Sequence, residues 1–177
     1  MTSEPKNITV LALDVDGVLT DGTISFDSVT NKEIKKFNVQ DGLGISLWQK
    51  AGNEVVIISG RNAQCVEIRA KELQIEHVYQ GSNDKVEDLN CALEIIGATT
   101  EETCFVGDDL GDIPAMQNCK YSIAVGNAAK EVKDVANHTT SLEGGKGAVR
   151  ESIEHLMRLS GTWVAAVESC MAEPAKQ

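Results

Sequence analysis

The sequence predicts an α/β fold: a Rossmann-like parallel sheet with helices on both faces, a small β-hairpin after the first strand and no cap domain. Three observations carry this. Short apolar runs alternate with longer helix-like segments along most of the chain, the pattern of parallel strands joined by crossover helices. Each apolar run stops at a polar or glycine-rich turn. Only one segment, between the first strand and the first helix, breaks the alternation.

Ile8 to Leu13 is an apolar run that ends in acidic residues, as expected of a strand buried on both faces. Glu54 to Ile58, Thr103 to Val106 and Tyr121 to Val125 have the same character. Helical patterns lie between them at about Gly42 to Ala51, Asn62 to Leu73, Lys85 to Ile96 and Asp112 to Gln117. The interrupting segment, Thr23 to Asn38, has two β-like runs flanking a turn at Ser28 to Asn31, which predicts a hairpin. Gly144 to Leu159 is a glycine-rich loop entering an amphipathic helix that Gly161 ends; Thr162 to Met171 forms a further short helix, and the last residues are loose. The 177 residues therefore make one domain, 1–177, with the hairpin at about 22–39 and a C-terminal helix and tail at about 161–177.

Composition narrows the function. Aromatic residues are only 4%, so Val, Ile, Leu and Ala supply the packing. The formal net charge of −11 argues against nucleic acid as a partner, because phosphate backbones are bound by basic surfaces. It also means that an anionic substrate needs a local cation. The five cysteines are odd in number and contain no C-x-x-C pair, which leaves reduced thiols in a cytoplasmic protein as the expectation. Met1 to Asn7 lacks a signal-peptide pattern, and no apolar run reaches membrane-span length.

Four clusters carry chemistry. Asp14-Val15-Asp16-Gly17 puts two carboxylates directly after a buried strand, which is costly unless they are paired or metal-bound. Gly107-Asp108-Asp109-Leu110-Gly111-Asp112 puts three more after a second strand. Like charges crowded there raise one another's pKa unless a cation neutralises them, and hard oxygen donors suit magnesium. Ser59-Gly60-Arg61 offers a hydroxyl and backbone N–H groups near a helix start, a phosphate-binding arrangement. Lys85 begins a helix, where a cation opposes the macrodipole and calls for an anionic partner. Taken singly, an acidic turn, a helix cap or a surface lysine accounts for each; the order, one after another at strand ends, is specific. Residues at those ends gather at one edge of the sheet, where such folds bind ligands.

The set D-x-D-G, I-S-G, Lys and G-D-D-x-x-D resembles the haloacid dehalogenase-like phosphatase superfamily over nearly the whole chain. More narrowly, DVDGVLTDG (14–22), KKFNVQDGLGI (35–45), ISGRNAQCVEIRAKEL (58–73), GDDLGD (107–112) and GGKGAVRE (144–151) resemble the capless 3-deoxy-D-manno-octulosonate 8-phosphate phosphatases. The resemblance implies a magnesium-dependent hydrolase of a sugar-acid phosphate, in lipopolysaccharide biosynthesis, acting as a homotetramer with hairpins meeting around a central axis. It implies Asp14 as nucleophile and Asp16 as acid and base. It places magnesium on Asp14, Asp108 and the backbone carbonyl of Asp16, with Asp109 and Asp112 orienting metal waters and Lys85. Ser59, Gly60 and Lys85 would hold the phosphate, and Arg61 and Arg69 the sugar-acid carboxylate, although both arginines could equally be helix-surface residues.

Other readings remain open at this stage: a nine-carbon sugar acid 9-phosphate as substrate, a phosphotransferase, a non-catalytic oligomeric binding module, or a phosphatase without sugar preference. A phosphotransferase needs a lid to exclude water, and no cap is present. Asp41 is expected to cap the helix that follows it, and Gly144 to Gly147 and Arg150 to approach a neighbouring subunit's site. His77, His138 and His155 have no metal-ligand spacing, and Trp48 and Trp163 are expected to pack.

Overall fold

The structure is a computed structural model that describes residues 7–172. The C-terminal residues expected to be loose fall mostly at 173–177, outside the described residues. Six parallel strands form the main sheet: β1 (Val10–Leu13), β4 (Glu54–Ser59), β5 (His77–Gln80), β6 (Thr103–Gly107), β7 (Tyr121–Ala124) and β8 (His138–Thr139). β2 (Ser25–Phe26) and β3 (Glu33–Ile34) make the antiparallel hairpin. The helices are α1 (Val39–Lys50), α2 (Gln64–Glu72), α3 (Lys85–Ile96), α4 (Ile113–Asn118), α5 (Lys130–Val135), α6 (Ala148–Leu159) and α7 (Trp163–Ala172).

The spatial order is β5-β4-β1-β6-β7-β8. The chain runs outward from β1 in one direction, returns, and runs outward in the other, so the direction reverses beside β1 and β6. That reversal is where open α/β sheets form their ligand crevice. Helix layers cover both faces: α1 packs on α6 and α6 on α7, while α3 packs on β4 and α4, and α4 on α5. Central strands covered on both sides read as continuous apolar runs, and Val10, Leu11, Ala12 and Leu13 are all buried. Leu13 pairs with Ile57 on one side and Val106 on the other, so the ends of β4, β1 and β6 are level.

The hairpin stands where the sequence predicted it. Phe26 pairs with Glu33 and Ser25 with Ile34, and Asp27 Oδ1 closes the turn by accepting from the Val29 and Thr30 N–H groups. Three elements were not predicted: β5, α5 and β8. β5 and β8 are the two edges of the sheet, and edge strands are kept short and polar; HVYQ is only half-buried, and β8 has two residues. Asp41 does not cap α1. Asn38 does, accepting from Gln40 N–H at 2.7 Å. Asp41 is buried in the first turn of α1, and its Oδ1 accepts from Arg150 N–H at 2.8 Å. It thus caps α6, whose own N-cap is Gly147 and makes no side-chain bond.

Candidate active site

The site is built on the level ends of β1, β4 and β6. Asp14 N–H continues the ladder to Val106 carbonyl at 3.1 Å, so the chain turns into the crevice only after Asp14. The turn at 15–19 then needs a left-handed residue: Gly17 has φ 102°, and a Cβ there would collide with the Asp108 carboxylate. The two acidic loops are therefore in direct contact because position 17 has no side chain.

Carboxylate oxygens of Asp14, Asp108 and Asp112 lie within 4.8 Å of one another. Lys85 reaches in from the start of α3, with Nζ donating to Asp14 Oδ1 and Asp112 Oδ1, both at 2.6 Å. This is the anionic partner that its place at a helix start called for. Asp112 turns its other oxygen back to accept from Asp108 N–H at 2.9 Å and Asp109 N–H at 3.2 Å, which fixes the 108–112 loop.

The electrostatics are those of a site that favours a cation. Burial, then repulsion from Asp112, pushes the Asp14 carboxyl up to about 6, against the pull of Lys85. Burial, then the charges of Asp14, Asp112 and Asp109, pushes Asp108 to about 7. Burial works against the Lys85 charge, but Asp14 and Asp112 outweigh it and hold the ammonium above its usual range.

The other predicted residues divide. Ser59 is buried at the end of β4, its Oγ accepting from Arg61 N–H at 3.3 Å. Gly60 is exposed beside it, with Ser82 carbonyl 3.7 Å from where a Cβ would sit. Asp109 is exposed and caps the turn at 110–112, accepting from Leu110 N–H at 2.8 Å. Arg61 reaches Asp16, with Nε 3.9 Å from its Oδ2. Arg69 is engaged elsewhere: Nη1 pairs with Glu72 at 2.8 Å, Nη2 donates to Asn38 carbonyl at 3.4 Å, and the guanidinium lies over Phe37. Asp16 stands apart from the other carboxylates; its Oδ1 is bonded by Lys35 Nζ.

Lys35, Glu33 and Asn127 were not singled out from the sequence. Glu33 and Lys35 are two apart on the returning hairpin segment, the spacing that places side chains on one face of a strand, and that alternation was the available signal. Asn127 follows β7 at the same sheet edge as the other strand-end residues. It donates to Gly17 carbonyl at 3.3 Å and accepts from Gly144 N–H at 2.6 Å. Gly144 and Gly145 thus pack on the 15–21 loop of their own chain, with Gly145 N–H donating to Val18 carbonyl at 3.0 Å. Arg150 lies over Trp163 at 5.1 Å and pairs with Glu154 at 2.8 Å.

The acidic cluster at the reversal of a parallel sheet fits the haloacid dehalogenase-like hydrolases, and the model of that family matches residues 74–151. The chain is 41% identical over 159 residues to the 3-deoxy-D-manno-octulosonate 8-phosphate phosphatase of Escherichia coli strain K12, covering 90% of this chain and 84% of that one. It is 37% identical over 161 residues to the Haemophilus influenzae protein of the same name, covering 91% and 89%. The crystal structure of the Moraxella catarrhalis phosphatase, in complex with magnesium ion, phosphate ion and KDO, superposes with a TM-score of 0.91 at 36% identity, over 96% of this chain and 97% of that one. The chain belongs to the 3-deoxy-D-manno-octulosonate 8-phosphate phosphatase family.

Proposed function

We propose that this protein is a magnesium-dependent phosphatase of a sugar-acid phosphate, with 3-deoxy-D-manno-octulosonate 8-phosphate as its substrate and Asp14 as its nucleophile. The observation that carries this is the buried Asp14 carboxylate, hydrogen-bonded by Lys85 and set within 4.8 Å of carboxylate oxygens of Asp108 and Asp112. The donor set fits the metal: hard oxygens, close-set, with the Asp14 and Asp108 carboxyls pushed up to about 6 and about 7 by burial and mutual repulsion. Asp14, Asp108 and the Asp16 carbonyl would hold it, and when bound it neutralises the charge that otherwise keeps a carboxylate from attacking a phosphate.

The protein's own groups supply the rest. Asp14 attacks phosphorus, so that an aspartyl-phosphate forms as the bond to the sugar oxygen breaks. Asp16 gives its proton to that oxygen, then takes one from the water that cleaves the aspartyl-phosphate. Lys85 and the Ser59 hydroxyl, whose oxygen already accepts from Arg61 N–H, hold non-bridging oxygens with the Gly60 backbone. Asp112 fixes the ammonium of Lys85, and Asp109 holds the turn that carries Asp112. Arg61 and Arg69 are assigned to the sugar-acid carboxylate, Arg61 the nearer to the crevice.

The working form is assigned as a cytoplasmic homotetramer in lipopolysaccharide biosynthesis. Among the described residues no helix is long and apolar enough to cross a membrane. The hairpin exposes Phe26 and Val29 at 62% and 87%, which a second copy of the chain would cover.

The test is a panel of eight- and nine-carbon sugar-acid phosphates and simple phosphate esters, compared by kcat/KM with and without magnesium, beside Asp14→Asn. The eight-carbon substrate should lead, and Asp14→Asn should abolish turnover. Substantial turnover by that variant rules Asp14 out as nucleophile; a leading nine-carbon substrate or a flat panel replaces the substrate assignment.

A further inference from the structure

We propose that Lys35 is a positioning residue that selects which oxygen of Asp16 performs the acid–base work. The proposal rests on the assignment of Asp16 above. Lys35 lies just beyond β3, and its side chain is 1% exposed. Its Nζ bonds Asp16 Oδ1 and donates to Glu33 Oε1 at 2.7 Å. Glu33 Oε2 accepts in turn from Arg61 Nη2 at 3.1 Å. The hairpin thus delivers a short charged chain, Asp16–Lys35–Glu33–Arg61, to the lip of the crevice.

The two oxygens of Asp16 are left unequal. Oδ1 is occupied by the ammonium. Oδ2 is buried and has no hydrogen-bond partner among the described residues, with Arg61 Nε at 3.9 Å. A buried, unpartnered carboxylate oxygen in a stable fold calls for a reason. Transfer of a proton to a leaving oxygen supplies one, because that oxygen must be free to face the substrate. An unrestrained carboxylate would turn about its terminal torsion, which is broad for aspartate. Tying Oδ1 to a buried lysine removes that freedom, and Glu33 fixes the lysine from behind. In the step itself the Asp14–phosphorus bond forms, the phosphorus–sugar oxygen bond breaks, and the proton on Asp16 Oδ2 passes to the sugar oxygen.

A lysine that merely neutralises Glu33 and Asp16 would support the fold without regard to the leaving group. The two roles separate on substrates that differ in their need for a proton. Lys35→Met keeps the length of the side chain and leaves Glu33 its bond to Arg61. Its kcat/KM would be measured on 3-deoxy-D-manno-octulosonate 8-phosphate, whose alkoxide needs protonation, and on p-nitrophenyl phosphate or acetyl phosphate, whose anions leave unaided. The expected result is a fall of about 10²-fold on the sugar phosphate and of no more than about threefold on the activated esters. Equal falls on both, or no fall on the sugar phosphate, overturn the role of Lys35. Asp16→Asn run in parallel keeps the two assignments apart: if it shows no such split, the acid role of Asp16 fails instead. Thermal unfolding checks each variant, and Lys35→Gln carries the same comparison where Lys35→Met does not fold.

Discussion

Replacing Gly144 with alanine adds one methyl carbon where the acid loop already fills the space. A Cβ on Gly144 would come to about half of the ~3.3 Å at which a carbon meets a carbonyl oxygen, measured to Gly17 O, and would stand 2.8 Å from Thr20 O. Both neighbours are backbone, so no rotamer change relieves the overlap. Nor can the 15–21 loop retreat, because Gly17 already lies against the Asp108 carboxylate. The two loops must part by roughly 1.5 Å. That stretches the bonds from Gly144 N–H to Asn127 and from Gly145 N–H to Val18 carbonyl. Overlap and weakened hydrogen bonds together cost about 2–4 kcal/mol, or roughly 5–15 °C in Tm for a domain of this size. Asp16, the proposed acid and base, rides on the displaced loop, and a shift of about 1 Å in such a group costs on the order of 10²-fold in rate. Gly52→Ala is the control. With φ 85° and no atom within 4 Å of its Cβ, it should lose about 1 kcal/mol from backbone strain and keep its activity. Thermal unfolding by circular dichroism and kcat/KM on the sugar phosphate measure both effects. A Gly144→Ala protein that matches Gly52→Ala in both would refute the reasoning.

Metal removal should give the protein an acid-favouring stability. Asp14 and Asp108, held up at about 6 and about 7, bind protons more tightly folded than unfolded. Their contribution is therefore complete at low pH and is lost as pH rises through those values. With chelator, Tm should fall between about pH 4 and about pH 7 and magnesium should restore it at the upper end; a chelated protein that gains stability over that interval contradicts this. Asp41→Ala removes the acceptor for Arg150 N–H and should lower stability by about 1–2 kcal/mol, the range for a lost helix cap; an unchanged Tm would show that α6 starts without it. Phe26→Asp with Val29→Asp on the exposed hairpin should yield a smaller species by light scattering, and a wild-type protein that is itself monomeric would remove the tetramer.

What the sequence revealed follows from where the free energy is concentrated. The central strands were legible because burial on both faces demands unbroken apolar runs, and their acidic ends were legible because carboxylates after such runs are costly without a purpose. The edge strands His77–Gln80 and His138–Thr139 carry little of the apolar burial and left only faint patterns. Lys35 and Glu33 were missed for a different reason. Each is an ordinary charged residue in a short hairpin, and only the fold brings them across to Asp16. Asp41 was assigned the adjacent helix because capping is usually local, whereas α6 follows Gly147, which has no side chain to cap it, and takes its cap from a helix far off in sequence. The sequence left Arg69 between a substrate ligand and a helix-surface residue paired with Glu72, and the Glu72 pair is present. The structure shows what occupies it: Gly42 has no side chain, and a Cβ there would strike the guanidinium.

The charges in the crevice fall into two compartments, and their balances differ. Around Lys85 there are three carboxylates, Asp14, Asp108 and Asp112, against one ammonium; three minus one leaves two negative charges, which one divalent cation balances. Around Lys35 there are two carboxylates, Asp16 and Glu33, against Lys35 and Arg61, a balance of zero without any ion. On a chain with a net charge of −11, an approaching phosphate meets excess negative charge around Lys85 until a cation balances it, and meets none around Lys35. On the roles proposed for Asp14 and Asp16, the charge balance around the nucleophile depends on the metal and that around the acid–base group does not. The arrangement requires that removing magnesium abolish turnover while leaving the Lys35–Asp16 pairing in place.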